Sequence, residues 1–243
     1  MTPPESTPPT QYKALLFDIF GTVVDWRQSL ITELSAYFGE RDVDRDWAQF
    51  ALDWRSLYQP SMERIRSGNR GYVILDVLHE ENLRELLPKY ELEHLSDDEI
   101  QHLTRAWHRL VPWVDTLPGL YRLRREYILG TLSNGNIALM VNMARHSALP
   151  WDAILGSEPT QGYKPQPEVY LRSAEMLGLE PKECIMVAAH NNDLAAAESL
   201  GFATAFILRA SEYGPDQTTD QQADKDWTFV CDSMIELADA LGV

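Results

Sequence analysis

The chain has 243 residues, 44% of them apolar, with 21 basic against 37 acidic side chains and a formal charge of −16. That length allows one large domain or two smaller ones around a real core. The acidity argues against nonspecific binding to nucleic acid or to anionic membranes, and a small anionic substrate would need a locally positive pocket.

Residues 1–11 carry four prolines and no apolar run, and read as a disordered leader with no signal-peptide character. Ala14-Leu15-Leu16-Phe17 then reads as a buried strand that delivers Asp18 to the tight loop Ile19-Phe20-Gly21-Thr22. From Trp26 to Pro112 the pattern is amphipathic helix after helix: Arg27–Phe38, Asp44–Tyr58, Gly71–Leu87 and Asp97–Leu110. Ser96 followed by Glu99 is a capping-box start for the last of these.

Beyond Leu117, strands and helices alternate. Ile128–Leu132, Ala153–Gly156, Ile185–Ala188 and Ala203–Ile207 read as strands; Ile137–Ser147, Pro167–Leu177, Asp193–Leu200 and Met234–Leu241 read as helices. Asp216–Lys225 reads as a surface loop. Alternation of this kind predicts an α/β fold, a Rossmann-like parallel sheet covered on both faces, with a helical cap inserted after the first strand. The expected division is a core of residues 12–25 and 113–243 and a cap of residues 26–112. Two cysteines, Cys184 and Cys231, make neither a disulfide framework nor a zinc site. No stretch approaches the ~20 apolar residues of a membrane span, so a cytoplasmic location is expected.

Four polar segments follow predicted strands or open a helix: Asp18; Ser133-Asn134-Gly135-Asn136; Lys164-Pro165-Gln166-Pro167; and His190-Asn191-Asn192-Asp193. Taken singly, each also reads as a turn, a loop or a helix cap. In an open α/β sheet, ligands bind beyond the carboxyl ends of the strands, where all four would converge. In this order they resemble the four motifs of the haloacid dehalogenase superfamily, and the chain looks like its type II 2-haloacid dehalogenases. Phosphatases of the superfamily carry a second aspartate two residues after the nucleophile, an acid that protonates an alkoxide leaving group. Phe20 stands there instead. A halide is a weakly basic leaving group that needs desolvation and positive dipoles, not a proton.

The resemblance implies a hydrolase that uses no cofactor and no metal, converting short 2-haloalkanoic acids to 2-hydroxy acids and halide with inversion at C2. Asp18 would be the nucleophile that forms an aspartyl ester, and Lys164 would hold it ionised. Asp193 would position or activate the hydrolytic water. Ser133 would bind the substrate carboxylate, Asn134 and Phe20 would face the substrate and halide, and Tyr170 would support Lys164. Trp54-Arg55-Ser56-Leu57-Tyr58 resembles the cap stretch whose arginine meets the leaving group, which assigns that role to Arg55. Trp26, Tyr58 and Tyr72 are candidate aromatic walls. Familiar members have serine and asparagine where this chain has Ala188 and His190. At its ordinary pKa near 6.5, His190 would suit a general base, and it would equally suit the halide pocket or a bond to loop backbone. This variant of the fourth motif resembles a subgroup in which some members accept fluoroacetate. Family members are often homodimers. Two other readings stay open: a Mg²⁺-dependent phosphatase of the same superfamily, and a non-catalytic module that binds a small anion.

Overall fold

The computed structural model describes residues 12–243, so the predicted leader, residues 1–11, lies outside the described residues. In chain order the elements are β1 (Ala14–Phe17), β2 (Val24–Asp25), α1 (Trp26–Gly39), α2 (Trp47–Ser56), α3 (Tyr58–Arg66), α4 (Leu75–Leu86), α5 (Asp97–Thr104), β3 (Val111–Pro112), α6 (Thr116–Leu123), β4 (Ile128–Ser133) and α7 (Ile137–Ser147). They continue with β5 (Ala153–Gly156), α8 (Ser157–Thr160), α9 (Pro167–Met176), β6 (Cys184–Ala188), α10 (Asn191–Ser199), β7 (Ala203–Ile207), β8 (Phe229–Cys231) and α11 (Met234–Ala240).

Six strands form one sheet in the order β5-β4-β1-β6-β7-β8, and every pairing in it is parallel. Strand alternation sends Leu15 and Phe17 to one face, with Ile185 and Val187, and sends Ala14 and Leu16 to the other, with Met186 and Ala188. Both faces are buried, which is why β1 and β6 are continuous apolar runs and not alternating ones. From β1 the chain builds outward through β4 and β5, then returns to the other side of β1 for β6, β7 and β8. That reversal opens a crevice at the carboxyl end of β1, where Asp18 lies.

Helices α1 to α5 are threaded between β2 and β3, which pair antiparallel as a two-residue ribbon with Val24 opposite Pro112 and Asp25 opposite Val111. Exit and re-entry are therefore adjacent, and the ribbon is tied down on the sheet side. Trp113 donates through its backbone N–H to Val23 O at 3.1 Å and through Nε1 to Gly21 O at 2.8 Å. Asp25 caps α1 by accepting from the Gln28 N–H at 2.9 Å, and the capping box of Ser96 and Glu99 starts α5 as expected.

Three of the predicted cap helices differ from the expectation. The helix expected over Asp44–Tyr58 ends at Ser56, and a new helix, α3, starts at Tyr58. Pro60, in the first turn of α3, has no N–H to return to Ser56 O, so one continuous helix cannot run through it. The segment from Gly71 to Ile74 precedes α4 instead of belonging to it; the Tyr163 hydroxyl donates to Val73 O at 2.9 Å. After Thr104 the chain tightens into a 3-10 helix over Arg105–Arg109. Strands β2, β3 and β8 span two or three residues each, too short to leave a period in the sequence.

Cap and core meet through polar contacts as well as apolar ones. Asp76 of α4 accepts from His108 Nε2 at 3.0 Å and from Asn136 Nδ2 at 3.0 Å, just before α7. Arg66 of α3 donates to the backbone oxygen of Lys164 at 2.9 Å. On the core side, Arg209 locks the loop after β1: it donates to Thr22 O at 3.0 Å and makes a two-pronged pair with Asp115 at 2.8 and 3.0 Å. Arg209→Ala leaves the partly buried Asp115 without its cation, and we expect a loss of about 3 kcal/mol, read from the urea midpoint at unchanged slope. A loss below about 0.5 kcal/mol would show the pair to be dispensable.

Candidate active site

Five strand ends supply the site. Asp18 follows β1, and its carboxylate has three partners. Lys164 Nζ donates to Oδ1 at 2.8 Å, the Thr22 hydroxyl donates to Oδ2 at 2.8 Å, and His190 Nδ1 lies 3.2 Å from Oδ2. Thr22 Oγ1 in turn accepts from the Ala189 N–H at 2.8 Å, which fixes the hydroxyl's orientation. Burial alone would raise the Asp18 carboxyl. Lys164 and His190 outweigh it and hold the group well below the usual carboxylate range, so Asp18 is ionised.

Lys164 lies in the loop between β5 and α9, and its ammonium bridges two carboxylates. Besides Asp18 it donates to Asp193 Oδ2 at 2.5 Å. Burial disfavours its charge, and the two acids outweigh burial and hold it above the ordinary lysine range. Asp193, in the first turn of α10, also accepts from the Tyr170 hydroxyl at 2.5 Å. Its carboxyl moves the opposite way from that of Asp18: burial and the neighbouring Asp18 charge raise it, and Lys164 offsets only part of this. Two neighbouring acids are thus pushed apart, one toward anion and one toward proton acceptor.

His190 stands just ahead of α10, with Nε2 2.9 Å from Glu212 Oε2 and Nδ1 toward Asp18. Ionised carboxylates only accept hydrogen bonds, so an imidazole between two of them carries a proton on each nitrogen. Burial opposes that charge, but Glu212 and Asp18 outweigh it and hold His190 protonated well above its ordinary range. Of the roles open to His190, carboxylate oxygens near both ring nitrogens favour a doubly protonated donor over a general base at the ordinary imidazole pKa.

A cavity of about 730 Å³ opens over these groups, walled by Asp18, Lys164, His190, Asp193, Asn134 and Tyr170 from the core and by Arg55, Tyr58 and Arg66 from the helical insertion. Phe20 is on the wall too, buried edge-to-face against Tyr58 and Trp107 with ring centroids 6.2 and 5.8 Å away. The Arg55 guanidinium carbon sits 4.0 Å from the Tyr58 ring centroid, and its Nη1 is buried without a hydrogen-bond partner. A positive group stacked on aromatic faces with an unspent donor is suited to a small anion.

Against expectation the wall is not positive: Arg55, Arg66, Lys164 and His190 face Asp18, Glu63, Asp193 and Asp220. The local charge is balanced in a strongly acidic chain, and an incoming anion is met by the cation of Arg55 on the cap side. Asp220 and Thr219 belong to the stretch expected as a surface loop. They reach the cavity because the side chain of Asn191 and its backbone N–H both bond to Asp220 at 2.9 Å.

Two further placements differ from expectation. Ser133 is buried at the end of β4, off the cavity wall, and its hydroxyl accepts from the Gly135 N–H at 3.2 Å; the wall at this strand end is Asn134. Tyr170 bonds Asp193 and acts on Lys164 only through it. Asn134 Oδ1 accepts from the Lys164 N–H at 2.9 Å, leaving its amide group for other partners. Of the candidate aromatic walls, Tyr58 lines the cavity. Trp26 lies behind it, stacked on Trp107, and Tyr72 bonds Ser157 elsewhere.

A family model described as "haloacid dehalogenase-like hydrolase" matches residues 12–201. The chain belongs to this haloacid dehalogenase-like hydrolase family. Within the family it is similar to the (S)-2-haloacid dehalogenase of Pseudomonas putida, 27% identical over 81% of this chain and 85% of that one. Two solved structures superpose with high scores. The defluorinating L-2-haloacid dehalogenase Rha0230 is 46% identical, with 96% of each chain covered and a TM-score of 0.93. The L-2-haloacid dehalogenase PA0810 is 43% identical over 95% of this chain and 98% of that one, with a TM-score of 0.92.

Glu212 is the principal member of this haloacid dehalogenase-like site that residue reading missed. It lies past β7, a fifth strand end, with no spacing that couples it to the other four segments. Its one signal is in the first motif. Gly21 has φ +89°, and a Cβ built there would meet the Glu212 carboxylate at 2.1 to 2.5 Å. Among the described residues no helix is long and apolar enough to cross a membrane.

Proposed function

We propose that this protein is an (S)-2-haloacid dehalogenase that works through an ester on Asp18, with its core residues 12–25 and 113–243 carrying the nucleophile and its cap residues 26–112 carrying the halide site. The observation behind this reading is the bridging ammonium: Lys164 keeps Asp18 anionic in a cavity whose wall also carries Arg55, with its unspent guanidinium donor.

In the first step Asp18 attacks C2 of the 2-haloacid from the side opposite the halogen. The new oxygen–carbon bond forms as the carbon–halogen pair leaves on the halide, toward Arg55 and Asn134. Oδ1 is the attacking oxygen, because it accepts one hydrogen bond while Oδ2 faces both Thr22 and His190. In the second step water adds to Cγ of Asp18, giving its proton to Asp193. The Cγ–Oδ1 bond then breaks, the 2-hydroxy acid takes that proton back from Asp193, and the water's second proton, left on Asp18, is released to solvent as the carboxylate is restored.

The Mg²⁺-dependent phosphatase reading fits these residues poorly. Asp18 and Asp193, the carboxylates that would hold the ion, are already bridged by an ammonium that would repel it, and Phe20 fills the place of the second acid. A second reading extends the substrate range to fluoroacetate, since the similar Rha0230 is described as defluorinating and Arg55 offers a buried donor to a small, strongly basic halide.

Halide release from (R)- and (S)-2-chloropropionate, chloroacetate and fluoroacetate, with and without EDTA, tests the reading. We expect turnover of the S enantiomer unaffected by EDTA, with the (R)-hydroxy acid as product. Phosphate release from phosphomonoesters that EDTA abolishes, with no halide release, would reverse it.

A further inference from the structure

Glu212 has no part in the two steps above, yet its carboxylate is 1% exposed and fully engaged. Trp26 Nε1 donates to Oε1 at 2.8 Å, and His190 meets Oε2 at 2.9 Å. A buried carboxylate is costly unless it is paired and hydrogen-bonded, and the loop after β1 has given up a side chain at Gly21 to admit this one. The result is a chain of contacts running Trp26, Glu212, His190, Asp18 Oδ2, with Thr22 on the same oxygen.

Under the proposed function, Oδ2 is the ester carbonyl oxygen once Oδ1 has attacked. When water adds to Cγ, the electron pair of the Cγ–Oδ2 double bond moves onto Oδ2. When the Cγ–Oδ1 bond breaks, that pair returns. Once Asp18 is esterified Oδ2 is a neutral carbonyl oxygen, so donors already aimed at it strengthen as it gains charge and accelerate ester breakdown.

We propose that Glu212 is a positioning residue which, by holding His190 as a cation with its Nδ1–H aimed at Asp18 Oδ2, makes His190 and Thr22 the oxyanion donors of the ester-hydrolysis step. This rests on the dehalogenase reading. It separates the two chemical steps: alkylation needs Asp18 anionic and a halide site, and hydrolysis needs Oδ2 to accept charge. The groups that face His190 are Asp18 from the loop after β1 and Glu212 from the loop after β7. Arg55 of α2 acts on both of those acids, and Lys164 and Asp193 act from the far side of Asp18.

The test is rapid-quench kinetics on (S)-2-chloropropionate with intact-protein mass measurement, applied to wild type, Glu212→Gln and Glu212→Asp. Glu212→Gln keeps Trp26 bonded but removes the charge that pins His190. We expect it to release a first equivalent of chloride within about threefold of the wild-type rate, then to break down the ester ~100-fold more slowly, the usual size of one lost oxyanion donor. The Asp18 ester then accumulates as an adduct of the intact chain. Glu212→Asp restores part of the second step. A pH profile separates this role from simple packing: in Glu212→Gln, ester breakdown falls off at lower pH than in wild type, because His190 loses its proton sooner.

The proposal is overturned if Glu212→Gln slows both steps equally, or if its ester breaks down at the wild-type rate. The one-equivalent chloride burst also reports a folded, competent site. If a single turnover of wild type in ¹⁸O water leaves Asp18 unlabelled and puts the label straight into product, the ester mechanism fails, and this inference falls with it for that separate reason.

Discussion

Asp18→Asn is expected to reduce halide release from (S)-2-chloropropionate by roughly 10⁴-fold or more, the scale on which loss of a covalent nucleophile is felt. The substitution keeps the shape of the side chain and its bond to Thr22. It removes the one anion that Lys164 and His190 are arranged to hold. The companion measurement is isotopic. In a single turnover in ¹⁸O water, the label enters the Asp18 side chain and the product hydroxyl stays unlabelled, because the product oxygen is the former Oδ1. Label that went straight into product would mean that water, not Asp18, attacks C2.

Lys164→Ala has the second large effect. Without the ammonium, Asp18 keeps only His190 and Thr22 against burial and the repulsion of Asp193, so both carboxyls move upward from their wild-type values. A less fully ionised nucleophile, with one of the cations facing the substrate removed, is expected to cost ~10³-fold in kcat/KM. A loss under tenfold would remove Lys164 from the role given to it.

Stability follows the same charges. In wild type the Asp18 carboxyl is depressed below its unfolded value, so its contribution is present above the ordinary carboxylate range. That contribution is lost as pH falls through the folded value. In Lys164→Ala the depression of Asp18 is reduced and Asp193 is raised further above its unfolded value, so stability is lost as pH rises past that range. The wild-type contribution of Asp18 is already in place near pH 4, so a difference in Tm is expected there and grows toward neutrality as the variant's raised acid is forced to ionise. A constant difference across that window would mean the cost is packing alone.

Charge balance sets how the pocket admits an anion. The molecule is acidic throughout, and the cavity only cancels that field locally. Steering from a distance is therefore unfavourable, and raised ionic strength should help substrate capture where it hinders enzymes with positive funnels.

Much of this architecture was legible from residues alone. The β1, β5, β6 and β7 strands are short, wholly apolar or nearly so, and broken by polar segments, as is the Ile128–Leu132 stretch of β4 apart from Gly130 and Thr131, and a parallel sheet with both faces covered demands that pattern. The carboxyl-end placement of Asp18, Asn134, Lys164 and Asp193 followed from the order of strands and helices, since chain direction decides which end of a strand a residue occupies. Phe20 argued against phosphoryl chemistry because one residue type at one offset changes what a leaving group can receive.

Other features depended on contacts between segments far apart in the chain. Ser133 and Asn134 are neighbours in sequence, and only the turn after β4 decided that Asn134 faces the cavity while Ser133 is spent on Gly135. The break between α2 and α3 is a local matter of Pro60, but its consequence, Tyr58 under the Arg55 guanidinium, is tertiary. His190 is the sharpest case. Its type and position were plain, and its charge was not, because an imidazole takes its protonation state from what surrounds it. Glu212, 22 residues further on, reaches it across the loop after β7. Pattern and chain direction determine where strands end. The state of a buried ionisable group is set by partners that only the folded chain brings into contact with it.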